Sequence, residues 1–211
     1  MDFNGNEHNI VVIGRSFGAG GRAIGRELSK IIGYPFYDKE LLKESAEEFG
    51  LTKEIFVRVD ERKPSRFKRL VTQIYGVQEA FIAETLSSES IYQAQSRVIR
   101  SIAKRGPCIL IGRTADYILR DFPGLLSVFL HAPLEYRARK IVERGDALTE
   151  MEAIEMARAN DKNRQEYYNY FTGRQWGVAS NYDLTLNASL LPASENALLI
   201  SEFLKKIRKE F

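Results

Sequence analysis

The sequence predicts a single three-layer α/β domain over residues 1–211: a five-stranded parallel sheet with helices on both faces, plus a flap and a lid. Three observations predict it. Ile10-Val11-Val12-Ile13 is a continuous apolar, β-branched run, the composition of a strand buried on both faces. Four further short strand signals alternate with helical spacings to the end of the chain, the order that makes a parallel sheet with right-handed crossovers. The chain has 211 residues, 44% hydrophobic and 28% charged, enough to close one sizeable core.

The first strand runs into Gly14-Arg15-Ser16-Phe17-Gly18-Ala19-Gly20-Gly21-Arg22-Ala23, and Ile24, Leu28, Ile31 and Ile32 then recur at helical spacing up to Gly33. Gly14, Gly18, Gly20 and Gly21 permit positive φ and close approach, and the helix start aims N–H groups and its dipole at an anion. This is a phosphate-binding turn of variant form. In GxxxxGK[ST] a Lys reaches the outer phosphates and a hydroxyl holds magnesium. Here Gly21 stands where that Lys would be, Arg22 stands where the hydroxyl would be, and Phe17 is an insertion.

Tyr34-Pro35-Phe36-Tyr37 is the second strand, followed by Asp38 at a position where open α/β sheets place ligand contacts; the same residue suits a helix N-cap. A helix is expected over 39–48, stopped by Gly50. From 51 to 80 the strand signal disappears and Arg58, Arg62, Lys63, Arg66, Lys68 and Arg69 accumulate, an inserted segment that reads as a solvated basic face or as an acceptor-side flap. One long helix is expected over 81–104. Cys108-Ile109-Leu110-Ile111 is the third strand and delivers Gly112-Arg113-Thr114-Ala115-Asp116 into a turn, with a short helix through 117–119.

Residues 125–130 form the fourth strand, ending at His131, which is given no catalytic role. The helix from Leu134 carries Arg137, Arg139, Lys140 and Arg144; the next, from Thr149 with Glu152 as capping partner, carries Asp161 and Arg164 on one face. Residues 137–165 make the expected lid, and an exposed ion pair is the plainest reading of Asp161 and Arg164. Tyr167, Tyr168, Tyr170, Phe171 and Trp176 read as packing rather than base stacking. Residues 182–186 are the last strand, and an amphipathic helix from Ser194 closes the chain.

Composition excludes several classes. Net charge is +3, from 31 Lys and Arg against 28 Asp and Glu, too little to argue for a nucleic-acid partner. One cysteine and two histidines build neither an internal disulfide nor a Cys- or His-rich metal site, and a reducing cytoplasm is expected. No apolar run approaches the about 18 residues of a membrane span, and residues 1–9 do not resemble a signal peptide.

With Pro35-Phe36-Tyr37-Asp38-Lys39, Gly106-Pro107-Cys108-Ile109-Leu110-Ile111-Gly112-Arg113, Ala132-Pro133-Leu134-Glu135-Tyr136-Arg137 and Tyr168-Asn169-Tyr170-Phe171-Thr172-Gly173, the loop resembles the cytidylate kinase-like family over nearly the whole chain. The resemblance implies the P-loop nucleoside monophosphate kinase fold and phosphoryl transfer from ATP to a pyrimidine nucleoside monophosphate, CMP or dCMP. By that similarity Arg113, Asp161 and Arg164 contact the acceptor, while Arg137 and Arg139 gather round the transferring phosphoryl group; Asp38 is an acceptor candidate from its place at the strand end alone. Magnesium enters on the ATP phosphates, with Ser16 and Asp38 the two candidates for a protein contact.

The missing loop Lys is shared by the branch that this loop resembles, while two residues depart from the family pattern: Ala19 in place of Ser, and Thr114 in place of Asp after Arg113. Arg22 is either an alternative clamp or a sign of lost catalysis. Two other readings therefore stay open, a P-loop kinase for another small metabolite and a nucleotide-binding regulator without turnover.

Overall fold

The computed structural model describes residues 10–38 and 88–209. The expected helix over 39–48, the flap over 51–80 and the first residues of the long helix lie outside the described residues.

Five strands form one parallel sheet: β1 (Ile10–Arg15), β2 (Phe36–Tyr37), β3 (Cys108–Ile111), β4 (Leu125–His131) and β5 (Leu184–Asn187), in the order β2-β3-β1-β4-β5. β1 is central, with Ile10 opposite Cys108 on one side and Leu125 on the other. Position follows composition. β1, apolar over residues 10–13, all-apolar β3 and largely apolar β4 take the interior, while two-residue β2 and half-buried β5 take the edges.

Alternation along β1 builds two cores. Ile10 and Val12 face helix α2 (Ser88–Arg105) and helix α3 (Ala115–Ile118), packing with Val98, Ile99, Ile102 and Leu119. Val11 and Ile13 face helix α1 (Gly21–Ile32) and helix α6 (Ala193–Lys209), packing with Ile24, Leu28, Ile200 and Leu204. Each such side chain, fully buried, stabilises the fold by about 1.5–3 kcal/mol. Cys108 lies in the first core, where burial pushes its thiol up to about 12.

A third, smaller cluster joins helix α4 (Leu134–Glu143) to helix α5 (Glu150–Thr172) through Ala138, Ile141, Ala153 and Ala157. The alanines let the two axes approach closely. α5 begins in a capping box, Thr149 accepting from the Glu152 amide while Glu152 accepts from that of Thr149.

Two boundaries differ from expectation. The short helix starts at Ala115 because Gly112, Arg113 and Thr114 all have positive φ and turn the chain early. The last strand starts at Leu184, after a 3-10 turn over Ala179–Asn181; Asp183 at its threshold accepts from the Ser127 amide at 2.7 Å and hydroxyl at 2.6 Å, fastening β5 to β4. The aromatic cluster packs on itself: Tyr92 stacks on Phe171 at 4.3 Å, and Phe129 meets Trp176 and Tyr182.

Candidate functional site

All five strands end on one edge, and the loop after β1 sits at its centre. The direction of winding reverses beside it: the chain passes from β1 to edge strand β2, returns to β3, and then crosses β1 to β4 and β5 on the other side. Gly18 and Gly20 have φ of 82° and 81°, and a Cβ on Gly18 would lie 2.9 Å from the Arg137 carbonyl. The turn is fixed internally, Ser16 donating its amide to the Leu130 carbonyl at 2.9 Å and Ala19 to that of Ser16 at 3.2 Å. The opening turn of α1, over Gly21, Arg22 and Ala23, carries no acidic residue and points its amides at the space above the loop.

Helices α4 and α5 close on this loop. Asp161 accepts the Phe17 amide at 2.7 Å through one carboxylate oxygen and Arg137 Nη1 at 2.6 Å through the other. Arg137 also donates to the carbonyls of Phe17 at 3.1 Å and Ala132 at 3.0 Å. Arg164 Nη1 donates to the Arg15 carbonyl at 3.0 Å and stands 4.0 Å from Asp161. The Arg144 and Arg164 guanidiniums each lie 5.4 Å from the centroid of the Phe17 ring. The inserted residue is thus the handle by which α4 and α5 grip the loop. With side chains 14% and 19% exposed, Arg164 and Asp161 are not the exposed surface pair of the plainest reading.

Beside the loop, a small cleft open to solvent is lined by Gly14, Arg15, Arg113, Thr114, Asp116, Arg164 and Tyr168, among others. Arg113 is buried and has φ of 61°, followed by Thr114 at 52°. Left-handed backbone costs non-glycine residues about 1–2 kcal/mol each, and a β-branched Thr is a marked outlier. Strain of this kind clusters at binding turns. Deeper in, Tyr168 donates its hydroxyl to Asp116 at 2.8 Å. Burial pushes the Asp116 carboxyl up, against the lowering pull of that hydrogen bond, and burial likewise raises Tyr168 and Tyr182.

The structure therefore brings Gly14, Arg15, Arg113 and Arg164 to one cleft, with Asp161, Arg137 and Phe17 where α4 and α5 meet the loop. It keeps others apart. Arg22 donates Nε to Asp38 at 2.8 Å and pairs through Nη2 at 2.6 Å, with Arg26 also 3.8 Å from that carboxylate. Arg139 is exposed, two residues from Arg137 and so on another side of α4.

A carboxylate already shared by two arginines is a poor cation ligand, and among the described residues no group of three or more His, Cys, Asp or Glu is placed to hold a metal ion. Asp38 is therefore engaged by Arg22 and Arg26 rather than set for a magnesium ion. Asp116, Tyr168 and Tyr182 also line the cleft without being singled out as site residues by any motif, the spacing of Asp116 three positions after Arg113 on a turn being the one signal in the sequence.

A sequence model of the cytidylate kinase-like family matches residues 10–190. Over 187 residues the chain is 24% identical to the cytidylate kinase of Pyrobaculum aerophilum, covering 88% of this chain and 87% of that protein. The solved structure of an uncharacterized protein from Eubacterium ventriosum is similar with a TM-score of 0.71 and 26% identity, covering 95% of this chain and 99% of the other. Shikimate kinase from Acinetobacter baumannii, solved in complex with shikimate, is similar in fold, with a TM-score of 0.53 at 16% identity over 96% and 95% of the two chains.

Proposed function

The chain belongs to the cytidylate kinase-like family and has the P-loop kinase fold, and from that premise we propose that it transfers a phosphoryl group from magnesium-bound ATP to a pyrimidine nucleoside monophosphate, CMP or dCMP. An oxygen of the acceptor phosphate forms the new P–O bond as the bond to the bridging oxygen of ADP breaks. The protein's task is to hold two polyanions in line and to meet the charge that spreads over the phosphoryl oxygens.

The observation that carries this reading is the convergence of three arginines, Arg15, Arg113 and Arg164, on one cleft beside a loop clamped by its lid. In the proposed complex the triphosphate rests on the loop from Gly18 and on the first amides of α1, and Arg113 and Arg164 hold the acceptor phosphate. Asp161 acts as a positioning residue, keeping Arg137 and the Phe17 amide in place. Magnesium arrives as part of the ATP substrate. Arg139 is left out of the site, and Arg22 orients Asp38.

A coupled ADP-release assay with magnesium–ATP against all common nucleoside monophosphates tests the proposal. CMP or dCMP is expected to support turnover, and Arg113→Ala to raise the acceptor KM about tenfold to a hundredfold, the value of one or two charge-assisted hydrogen bonds. No acceptor-dependent ADP with CMP, dCMP or UMP overturns it. Thr114, where better-known cytidylate kinases have Asp, favours a second reading, a kinase for another small hydroxylated metabolite. The missing Lys favours a third, a regulator that ATP stabilises without product.

A further inference from the structure

Gly21 occupies the place where a phosphate loop carries its lysine, and its backbone does not explain why. Its φ is helical, a conformation in which glycine is inferior to alanine by about 0.5–1 kcal/mol. Space explains it. A Cβ on Gly21 would lie 2.9 Å from Arg15 Cγ, 3.2 Å from its Cβ and 3.5 Å from its Cδ. The stem of Arg15, from the last residue of β1, lies across the first residue of α1. Its head ends at the next strand, because a Cβ on Gly112 would overlap Arg15 Nη1 and approach Cζ to 2.9 Å.

One side chain therefore spans from the root of the missing lysine to the turn that bears Arg113. A lysine at 21 and an arginine at 15 are mutually exclusive ways of bringing a cation there. Arg22, the neighbour in sequence, is turned to Asp38 and is half exposed.

We infer that Arg15 takes the place of the loop lysine, its guanidinium over Gly112 clamping the phosphoryl group between the loop and Arg113. The inference rests on the reading of the loop as a triphosphate site and names the residue that completes it. The planar fork of arginine suits two oxygens of one phosphate. Glycine at 21 is the imprint of that arginine, and glycine at 112, which its φ of 65° already favours, leaves room for the head.

The test combines turnover with calorimetric binding of ADP and of a non-hydrolysable ATP analogue to Arg15→Ala, to Arg15→Gln and to the double variant Arg15→Ala/Gly21→Lys. Loss of Arg15 is expected to lower kcat about 10²–10³-fold, as for other single transition-state donors, with the acceptor KM changing far less. It is also expected to erase about tenfold of any preference for the triphosphate over ADP. The double variant, with room for a lysine, regains at least about tenfold of the lost kcat. Arg15→Gln, similar in reach without charge, repeats the loss if the alanine variant is unstable.

Wild-type kcat and unchanged triphosphate preference in the Arg15 variants overturn the inference, as does a double variant no better than Arg15→Ala. The two proposals fail separately. If the wild-type protein turns over no monophosphate, the acceptor assignment falls and calorimetry alone decides the clamp; if it turns over CMP while Arg15 proves indifferent, the clamp falls and the activity stands.

Discussion

Asp161 accepts the backbone amide of Phe17 at 2.7 Å, so a carboxylate on helix α5 holds a loop that lies 144 residues earlier in the chain. Its other oxygen holds Arg137 on helix α4, and the two side chains are only 19% and 12% exposed. Loop, α4 and α5 thus share one anion. Asp161→Ala leaves an amide and a guanidinium without it, and is expected to lower unfolding stability by about 1.5–3 kcal/mol. ATP affinity should fall with it, since the loop loses its anchor. Urea unfolding and ATP titration check both; unchanged values in each would separate the lid from the loop.

Thr114 sits at φ 52° directly after Arg113 at 61°. Asparagine enters the left-handed region at lower cost than a β-branched residue, so Thr114→Asn is expected to stabilise the protein by about 0.5–1 kcal/mol. The Thr114 hydroxyl donates to the Arg113 carbonyl at 2.6 Å, and losing that contact sets the upper limit of the gain. Thermal melting reads the outcome. A fall in Tm would mean the local hydrogen bond outweighs the relieved strain.

How much of this was legible in the sequence depends on range. The central strands were legible because β1 and β3 are unbroken apolar runs, and the α5 start because Thr149 and Glu152 form a local capping pair. Gly18 and Gly20 marked a tight turn by composition alone. The partners of that turn were not legible, because the contact of Phe17 with Asp161 depends on how α4 and α5 pack through Ala138 and Ala157. Nor was the route of Arg15, visible only as the space missing at Gly21 and Gly112. Spacing placed Asp161 and Arg164 on one face and left open what that face meets. The β3–α3 turn hid Asp116, which becomes a cleft residue only once Tyr168, 52 residues later, folds over it.

Burial raises Asp116 above its ordinary range, and the Tyr168 hydroxyl and Arg174 only partly offset it. A carboxyl whose pKa is higher folded than unfolded favours folding at low pH. That contribution is complete below the unfolded value of about 4 and is lost as pH rises through the folded value. Asp116→Asn carries no such titration. The difference in Tm between variant and wild type is therefore expected to move in the variant's favour between pH 4 and pH 7. Melts at pH 4, 5.5 and 7 check it, and a pH-independent difference would show that the site ionises without penalty.

Gly18 is where the loop meets the lid most closely. Its φ of 82° costs any L side chain about 1–2 kcal/mol, and an added Cβ would meet the Arg137 carbonyl at 2.9 Å, with Arg137 Cβ and Ile141 Cδ1 both at 3.0 Å. The nearest of these atoms is backbone in the middle of α4, so no rotamer change relieves the contact. The loop or the helix has to withdraw, stretching the hydrogen bonds from Arg137 to Phe17 and Asp161. Gly18→Ala is therefore expected to weaken ATP binding at least about tenfold, one or two charge-assisted hydrogen bonds being at stake. The cleft beyond Gly14 is built from β3, α3 and α5, so CMP binding measured without ATP should change much less. Calorimetry with each ligand separately makes the comparison; an equal loss for both would mean that loop and acceptor cleft move as one rigid unit.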